Sequence, residues 1–225
     1  MTTREDAPRQ TDFLLARHER RLLRWVAARL PARVKPDHLT ALGVVAALAI
    51  AAAYVLSNER PAWLWVASAL LVVHWLGDSL DGTLARVRGI ERPRYGYYLD
   101  HLVDAFATVA ICVGLGLSPH MLLATGFAIG VAYLILSINV YLETQAFGVF
   151  RLGYEENGAT EARIALIALN SALALGAGLG FRIEGVGLTA LDAFGLGIAA
   201  AMTLALVLRA AANLRRLAAE EPAAS

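Results

Sequence analysis

Apolar residues run along this chain in blocks too long for the core of a small soluble domain. Six segments are mainly apolar over the roughly 17–25 residues that a bilayer-spanning helix needs: about 39–56, 61–80, 97–117, 120–142, 161–181 and 189–209. Short polar connectors such as SNERP and LSPH join neighbouring segments, which makes the neighbours antiparallel. Strands of a membrane barrel would be shorter and would alternate between apolar and polar positions. The pattern therefore predicts an all-α integral membrane protein with six transmembrane helices. Ahead of them, FLLARHERRLLRWVAARLP (13–31) mixes leucines, a tryptophan and a valine with five arginines at helical spacing. It predicts an amphipathic interfacial helix over 13–35 lying on anionic lipid, the alternative being a short soluble helix packed on a partner. The expected organisation is a disordered tail (1–12), the interfacial helix, a six-helix domain (36–217) and a second disordered tail (218–225).

Charge then orients the bundle. Lys and Arg number nine in 1–38, four in 86–95, two at Arg151 and Arg163, and three at Arg209, Arg215 and Arg216, while the opposite side holds only Arg60 and Arg182. By the positive-inside rule both termini and the 81–97 and 143–161 connections face the cytoplasm. Composition agrees with a membrane protein: 58% of residues are hydrophobic, 17% are charged, and mean hydropathy is +0.55. The net charge of +1 implies no acidic partner such as nucleic acid. The single Cys112 excludes an intramolecular disulfide, and the basic N-terminal region lacks the short apolar core of a cleavable signal peptide.

One stretch does not fit an inert bundle. In GDSLDGTLARVRGIERPRYGYYLDHLVD (77–104), Asp78 and Asp81 are three residues apart and Asp100 and Asp104 four apart, each pair on one helix face. The topology puts both pairs at the cytoplasmic ends of adjacent antiparallel helices. Four converging carboxylates repel unless cations neutralise them, and an all-oxygen donor set suits Mg²⁺, with Mn²⁺ or Ca²⁺ as alternatives. Four carry enough charge for two ions, a device suited to phosphoryl chemistry. Gly82 and Ala85 remove bulk beside Asp81, Arg86 can hold a phosphate oxygen, and Gly96 opens the matching place on the next helix. Any one of these aspartates alone reads as a solvated cap; four interleaved with Gly, Ala and Arg do not.

The string D78-S-L-D81-G82-T-L-A85-R86, followed by G96-Y-Y-L-D100-H-L-V-D104, resembles the signature of the CDP-alcohol phosphotransferase family, D-x2-D-G-x2-A-R, a spacer, then G-x3-D-x3-D. The spacer is usually eight residues; residues 87–95 make nine, in a loop rich in Arg and Pro. The six spans, the amphipathic N-terminal helix and P36-D-H-L-T-A-L-G43 are also similar to the family. The resemblance implies transfer from a CDP-linked alcohol to the hydroxyl of another alcohol, with release of CMP. It implies that Asp78, Asp81, Asp100 and Asp104 hold a pair of divalent metals, Mg²⁺ foremost, and that Asp104 is also the general base. It further implies that Asp78, Gly82, Ala85, Arg86 and Gly96 hold the cytidine diphosphate, and that the protein is a homodimer acting on membrane lipid.

The substrates divide into two branches. In one, CDP carries diacylglycerol and the acceptor is a small polar alcohol or its phosphate; in the other, CDP carries choline or ethanolamine and the acceptor is diacylglycerol. Leu99-Asp100-His101 is similar to the second branch, and T160-E-A-R163 with Asn170 is similar to a Thr-Glu-x-Arg stretch in some members. Asn139, Glu143, Arg151, Glu161 and Arg163 are candidates for an acceptor pocket. With only Arg151 and Arg163 available after the fourth span, an uncharged or zwitterionic acceptor is favoured over a phosphorylated one. His74, four residues before Asp78, is either an outer partner of the metal ligands or a packed polar residue with a local partner. Trp63, Trp65 and Tyr54 read as an aromatic belt, and Gly176–Gly180 as a close helix contact. The 146–160 connection is placed to cover a site. A cation transporter is the rival class, but transport needs polar groups near the midplane and on the far side, where the spans are almost purely apolar. A non-catalytic scaffold would not need Gly82, Ala85 and Arg86 in register with four acids.

Overall fold

The computed structural model describes residues 14–147, 155–176 and 187–221, all of them helical or in short connections. The helices are α1 (Leu14–Ala27), α2 (Pro36–Leu56), α3 (Trp63–Arg88), α4 (Pro93–Gly116), α5 (Leu123–Phe147), α6 (Glu155–Ala174) and α7 (Ala190–Glu220). Five of them, α2, α3, α4, α5 and α7, are long and apolar enough to cross a membrane. The sixth apolar segment, 161–181, overlaps α6, which starts further back at Glu155 and whose first half carries Glu155, Glu156, Glu161 and Arg163; residues 177–181 lie outside the described part, as does most of Gly176–Gly180.

Helix ends overrun the apolar runs wherever charged residues can continue a helix into water. α3 keeps going through the acidic motif to Arg88, with Arg86 and Arg88 in its last turn, where cations favour the helix dipole. It stops at Gly89, whose φ of 64° is the left-handed conformation that a C-terminal cap requires. α4 restarts at once, with Pro93 in its first turn. α7 continues three residues into the stretch expected to be a C-terminal tail, supported by an Arg216–Glu220 ion pair one turn apart. The expected N-terminal tail lies outside the described residues.

α3 is the hub: it packs on α1, α2 and α6, while α2 also packs on α4, and α5 bridges α4 and α7. At the end remote from the motif, Ile50, Ala53 and Tyr54 of α2, Leu64, Ala67 and Leu71 of α3, Leu115, Met121 and Leu191 form one buried cluster. At the motif end, Leu23 and Ala27 of α1 close over Leu39, Leu80 and Leu84, and Glu19 accepts from Trp75 Nε1 at 2.8 Å. α1 therefore packs on the bundle through one face and leaves Leu22 and Trp25 exposed on another, with the Arg29 guanidinium over the Trp25 ring.

Between the two clusters α2 and α3 nearly touch. A Cβ on Gly77 would lie 2.8 Å from the Gly43 nitrogen and 2.8 Å from the Leu39 oxygen, so no side chain fits. Trp65 is exposed, as a belt residue would be, whereas Tyr54, expected in the same belt, is fully buried. The Tyr54 hydroxyl donates to Asn170 Oδ1 at 3.1 Å, and a phenol in an apolar interior needs such a partner. At the remote end, the wholly buried Asp192 joins three elements. Its Oδ1 accepts from Leu122 N at 2.8 Å and Thr125 Oγ1 at 2.7 Å, and its Oδ2 from Thr189 N and Thr189 Oγ1, both at 2.9 Å.

Candidate active site

The Gly43–Gly77 contact fixes how α3 presents the motif, because Asp78 follows Gly77 directly and Asp81 lies one turn further on. α4 runs antiparallel and brings Asp100 and Asp104 to the same end. Carboxylate oxygens of Asp78, Asp100 and Asp104 all lie within 4.8 Å of one another. Like charges at that separation repel, so the arrangement favours an added cation. The donors are all oxygen, which fits a hard divalent ion. Asp100 is open to solvent, its side chain 48% exposed, whereas Asp78 is largely covered and Arg163 Nη2 of α6 donates to its Oδ2 at 2.6 Å.

Asp81, one turn beyond Asp78 on α3, is held by two hydrogen bonds of its own. Thr40 Oγ1 of α2 donates to Asp81 Oδ2 at 2.6 Å, and Asp81 Oδ1 accepts from Gly82 N at 2.5 Å. Arg86 is exposed and folds back along α3, with Nη2 donating to Thr83 Oγ1 at 3.3 Å; a Cβ on Gly82 would meet its Nη1 at 3.4 Å. Ala85 is half-buried on the same helix. Gly96, in the first turn of α4, has no atom within 4 Å of the place a Cβ would occupy. A short open wall thus lies beside the acids.

His101 stacks between Tyr97, with ring centroids 4.1 Å apart, and Tyr141 of α5, at 5.2 Å; its Nδ1 lies 3.7 Å from Asp100 Oδ2. His74 is buried one turn from Asp78, and its Nδ1 has no hydrogen-bond partner among the described residues.

The expected acceptor residues separate into groups. Arg163 is committed to Asp78. Asn139 and Glu143 belong instead to a polar cluster between α5 and α7. Glu143 Oε1 accepts from Asn139 Nδ2 at 2.6 Å, Asn213 Nδ2 at 2.6 Å and Arg209 Nε at 3.1 Å, and Arg209 Nη2 donates to Oε2. Glu161 is exposed on α6, and Arg151 lies outside the described residues. Thr40, Gly77, Arg209 and Asn213 were not singled out from sequence as site residues. Thr40 and Gly43 stand in the P36–G43 string, which was the available signal; Arg209 counted only as a topology-setting charge.

Comparison with known proteins bears on this geometry. A family model described as CDP-alcohol phosphatidyltransferase matches residues 33–203, most of the chain and all of the residues just described except Arg209 and Asn213. The chain is 36% identical over 90 residues to a phosphatidylinositol phosphate synthase from Cutibacterium acnes, covering 40% of this chain and 41% of that protein. It is 32% identical over 148 residues to a CDP-diacylglycerol–serine O-phosphatidyltransferase from Encephalitozoon cuniculi, covering 61% of this chain and 37% of that protein. The chain thus spans about two-fifths of the length of each relative it matches. With the family model covering more than half of its length, the chain belongs to the CDP-alcohol phosphatidyltransferase family.

Proposed function

We propose that this protein is a membrane transferase that moves the phosphatidyl group of CDP-diacylglycerol to the hydroxyl of a small acceptor alcohol and releases CMP. The observation that carries the reading is the convergence of Asp78, Asp100 and Asp104 within 4.8 Å, beside Gly82, Ala85, Arg86 and the open space at Gly96. The name of the E. cuniculi relative supports CDP-diacylglycerol as the donor. The alternative, transfer from CDP-choline or CDP-ethanolamine to diacylglycerol, rests on Leu99-Asp100-His101 alone.

In this reading Asp78, Asp81, Asp100 and Asp104 would hold a pair of Mg²⁺ ions, which when bound would offset charge on the diphosphate and on the departing CMP. Arg86 holds a phosphate oxygen, and Gly82, Ala85 and Gly96 leave room for the cytidine and diphosphate. Asp104 accepts the proton of the acceptor hydroxyl as its oxygen attacks the β-phosphorus. One O–P bond forms, the bond from the β-phosphorus to the bridging oxygen breaks, and CMP leaves with that electron pair. The acceptor is uncharged or zwitterionic: Arg163 of α6 and Arg209 of α7 are each matched by a carboxylate, Asp78 and Glu143. A phosphorylated acceptor would have to compete with those carboxylates.

We further propose six spans, with α6 as the sixth, and a cytoplasmic site and termini, supported by the segregation of Lys and Arg. The exposed Leu22 and Trp25 of α1, with its arginines, suit an interfacial helix on anionic lipid. A homodimer is carried over from the family resemblance. The test supplies purified protein in lipid with Mg²⁺ and compares CDP-diacylglycerol, CDP-choline and CDP-ethanolamine across serine, inositol, glycerol phosphate and inositol phosphate. CMP release from CDP-diacylglycerol with a non-phosphorylated acceptor is expected. Release only with phosphorylated acceptors would overturn the acceptor class, and no CMP from any donor, together with metal flux in liposomes, would return the protein to the transporter class.

A further inference from the structure

We infer that Thr40 is a positioning residue for Asp81, which makes α2 a wall of the site rather than a neighbouring span; the inference rests on the proposed metal-dependent transfer. Thr40 is buried. Its hydroxyl has one hydrogen, and Asp81 Oδ2 at 2.6 Å is the near acceptor, with Pro36 O at 3.3 Å. Gly82 N holds the other Asp81 oxygen from within α3. Two hydrogen bonds therefore fix the carboxylate plane while leaving lone pairs on both oxygens.

The pairing follows from backbone register. Where α2 and α3 cross, Gly43 lies against Gly77. Three residues toward the motif end along α2 is Thr40, and four residues the same way along antiparallel α3 is Asp81, one helical turn on each. The start of α2 is also held on its other side. Arg88 Nη2 donates to Leu30 O and Pro31 O, each at 2.9 Å, and its Nη1 to Val34 O, while Arg92, just before α4, pairs with Asp37. The hydroxyl is thus located by glycine contact above it and by arginine clasps below it. Hydrogen-bond partners of metal-ligating carboxylates act in this way, orienting the ligand without touching the ion.

The test is Mn²⁺ binding to the full-length protein in detergent, read by electron paramagnetic resonance, alongside CMP release as a function of Mg²⁺. Thr40→Val keeps the shape and removes the hydroxyl; it is expected to weaken Mn²⁺ binding by roughly 10- to 100-fold and to raise the Mg²⁺ midpoint by a similar factor. Thr40→Ser is expected to restore most of both. Wild-type Mn²⁺ binding by Thr40→Val, or equal loss in Thr40→Ser, overturns the inference. Thr40→Ala serves the same comparison should the valine variant elute as aggregate. Asp100→Asn separates the two levels: unchanged Mn²⁺ binding there would remove the metal reading itself and the role of Thr40 with it, whereas loss there with none in Thr40→Val would remove the Thr40 role alone.

Discussion

An amide in place of the Asp104 carboxylate keeps its size and most of its hydrogen bonding but cannot take a proton. Asp104→Asn is therefore expected to leave binding of the CDP-linked substrate largely intact and to reduce CMP release by at least about a hundredfold, the lower range for losing a general base. Equilibrium binding and CMP assays on one preparation check both halves, and normal turnover would remove the base assignment. At Gly77 the expectation is steric. Gly77→Ala drives a methyl into the backbone of α2 and is expected to cost about 1–3 kcal/mol, seen as a lower melting temperature in detergent. Activity should fall further than stability, because Asp78 moves with its neighbour. The spacing of Asp78, Asp81, Asp100 and Asp104 was legible without coordinates, because i+3 and i+4 steps fix which residues share a helix face. The turn of Asp81 toward Thr40 was not. It depends on where α2 crosses α3, a register set by a contact between two glycines 34 residues apart.

At the scale of elements, apolar runs located the helices and missed their ends. Arg86, Arg88 and Pro93 stand outside any hydrophobic run, yet the first two extend α3 and the last starts α4. Asn139 and Glu143 join a polar cluster with Arg209 and Asn213 of α7, a pairing that leaves no trace in local periodicity. The Asp192 clasp was equally hidden, because an aspartate opening a helix reads as an ordinary cap. It also binds the α4–α5 connection and α5. Asp192→Ala is expected to destabilise the protein by about 3 kcal/mol, the sum of a lost cap and buried donors left unpaired, with Mn²⁺ binding unchanged at 25 °C. His120, in the same connection, is held below the ordinary imidazole range by burial, and its Nε2 has no partner among the described residues. The unfolded chain thus binds the proton more readily than the folded one. The contribution of neutral His120 is complete above the unfolded value of 6.5 and is lost as pH falls through the lower folded value. Melting temperatures measured from pH 7.5 down to 5 should drop on the acid side, and His120→Gln should flatten that limb.

For the whole molecule, the arginine census makes a claim that chemical labelling can check. In a Cys112→Ala background, a cysteine at Asn58 should react with a membrane-impermeant maleimide added outside intact cells. A cysteine at Glu91 should react only after the membrane is opened. Reversed labelling would invert the bundle and place the acids on the wrong side for a cytoplasmic nucleotide.

The Asp78–Arg163 pair spans 85 residues of chain, and this orders events during synthesis. Thr40, Asp78, Asp81, Asp100 and Asp104 all emerge from the ribosome before α5 begins, so the acidic end is translated while Arg163 of α6, which donates to Asp78, is still to come. Until then a nascent chain presents Asp78 without the guanidinium that later pairs with it. Insertion of α6 is the step that closes this interval, and a chain stalled before it should hold metal without the arginine that tempers Asp78.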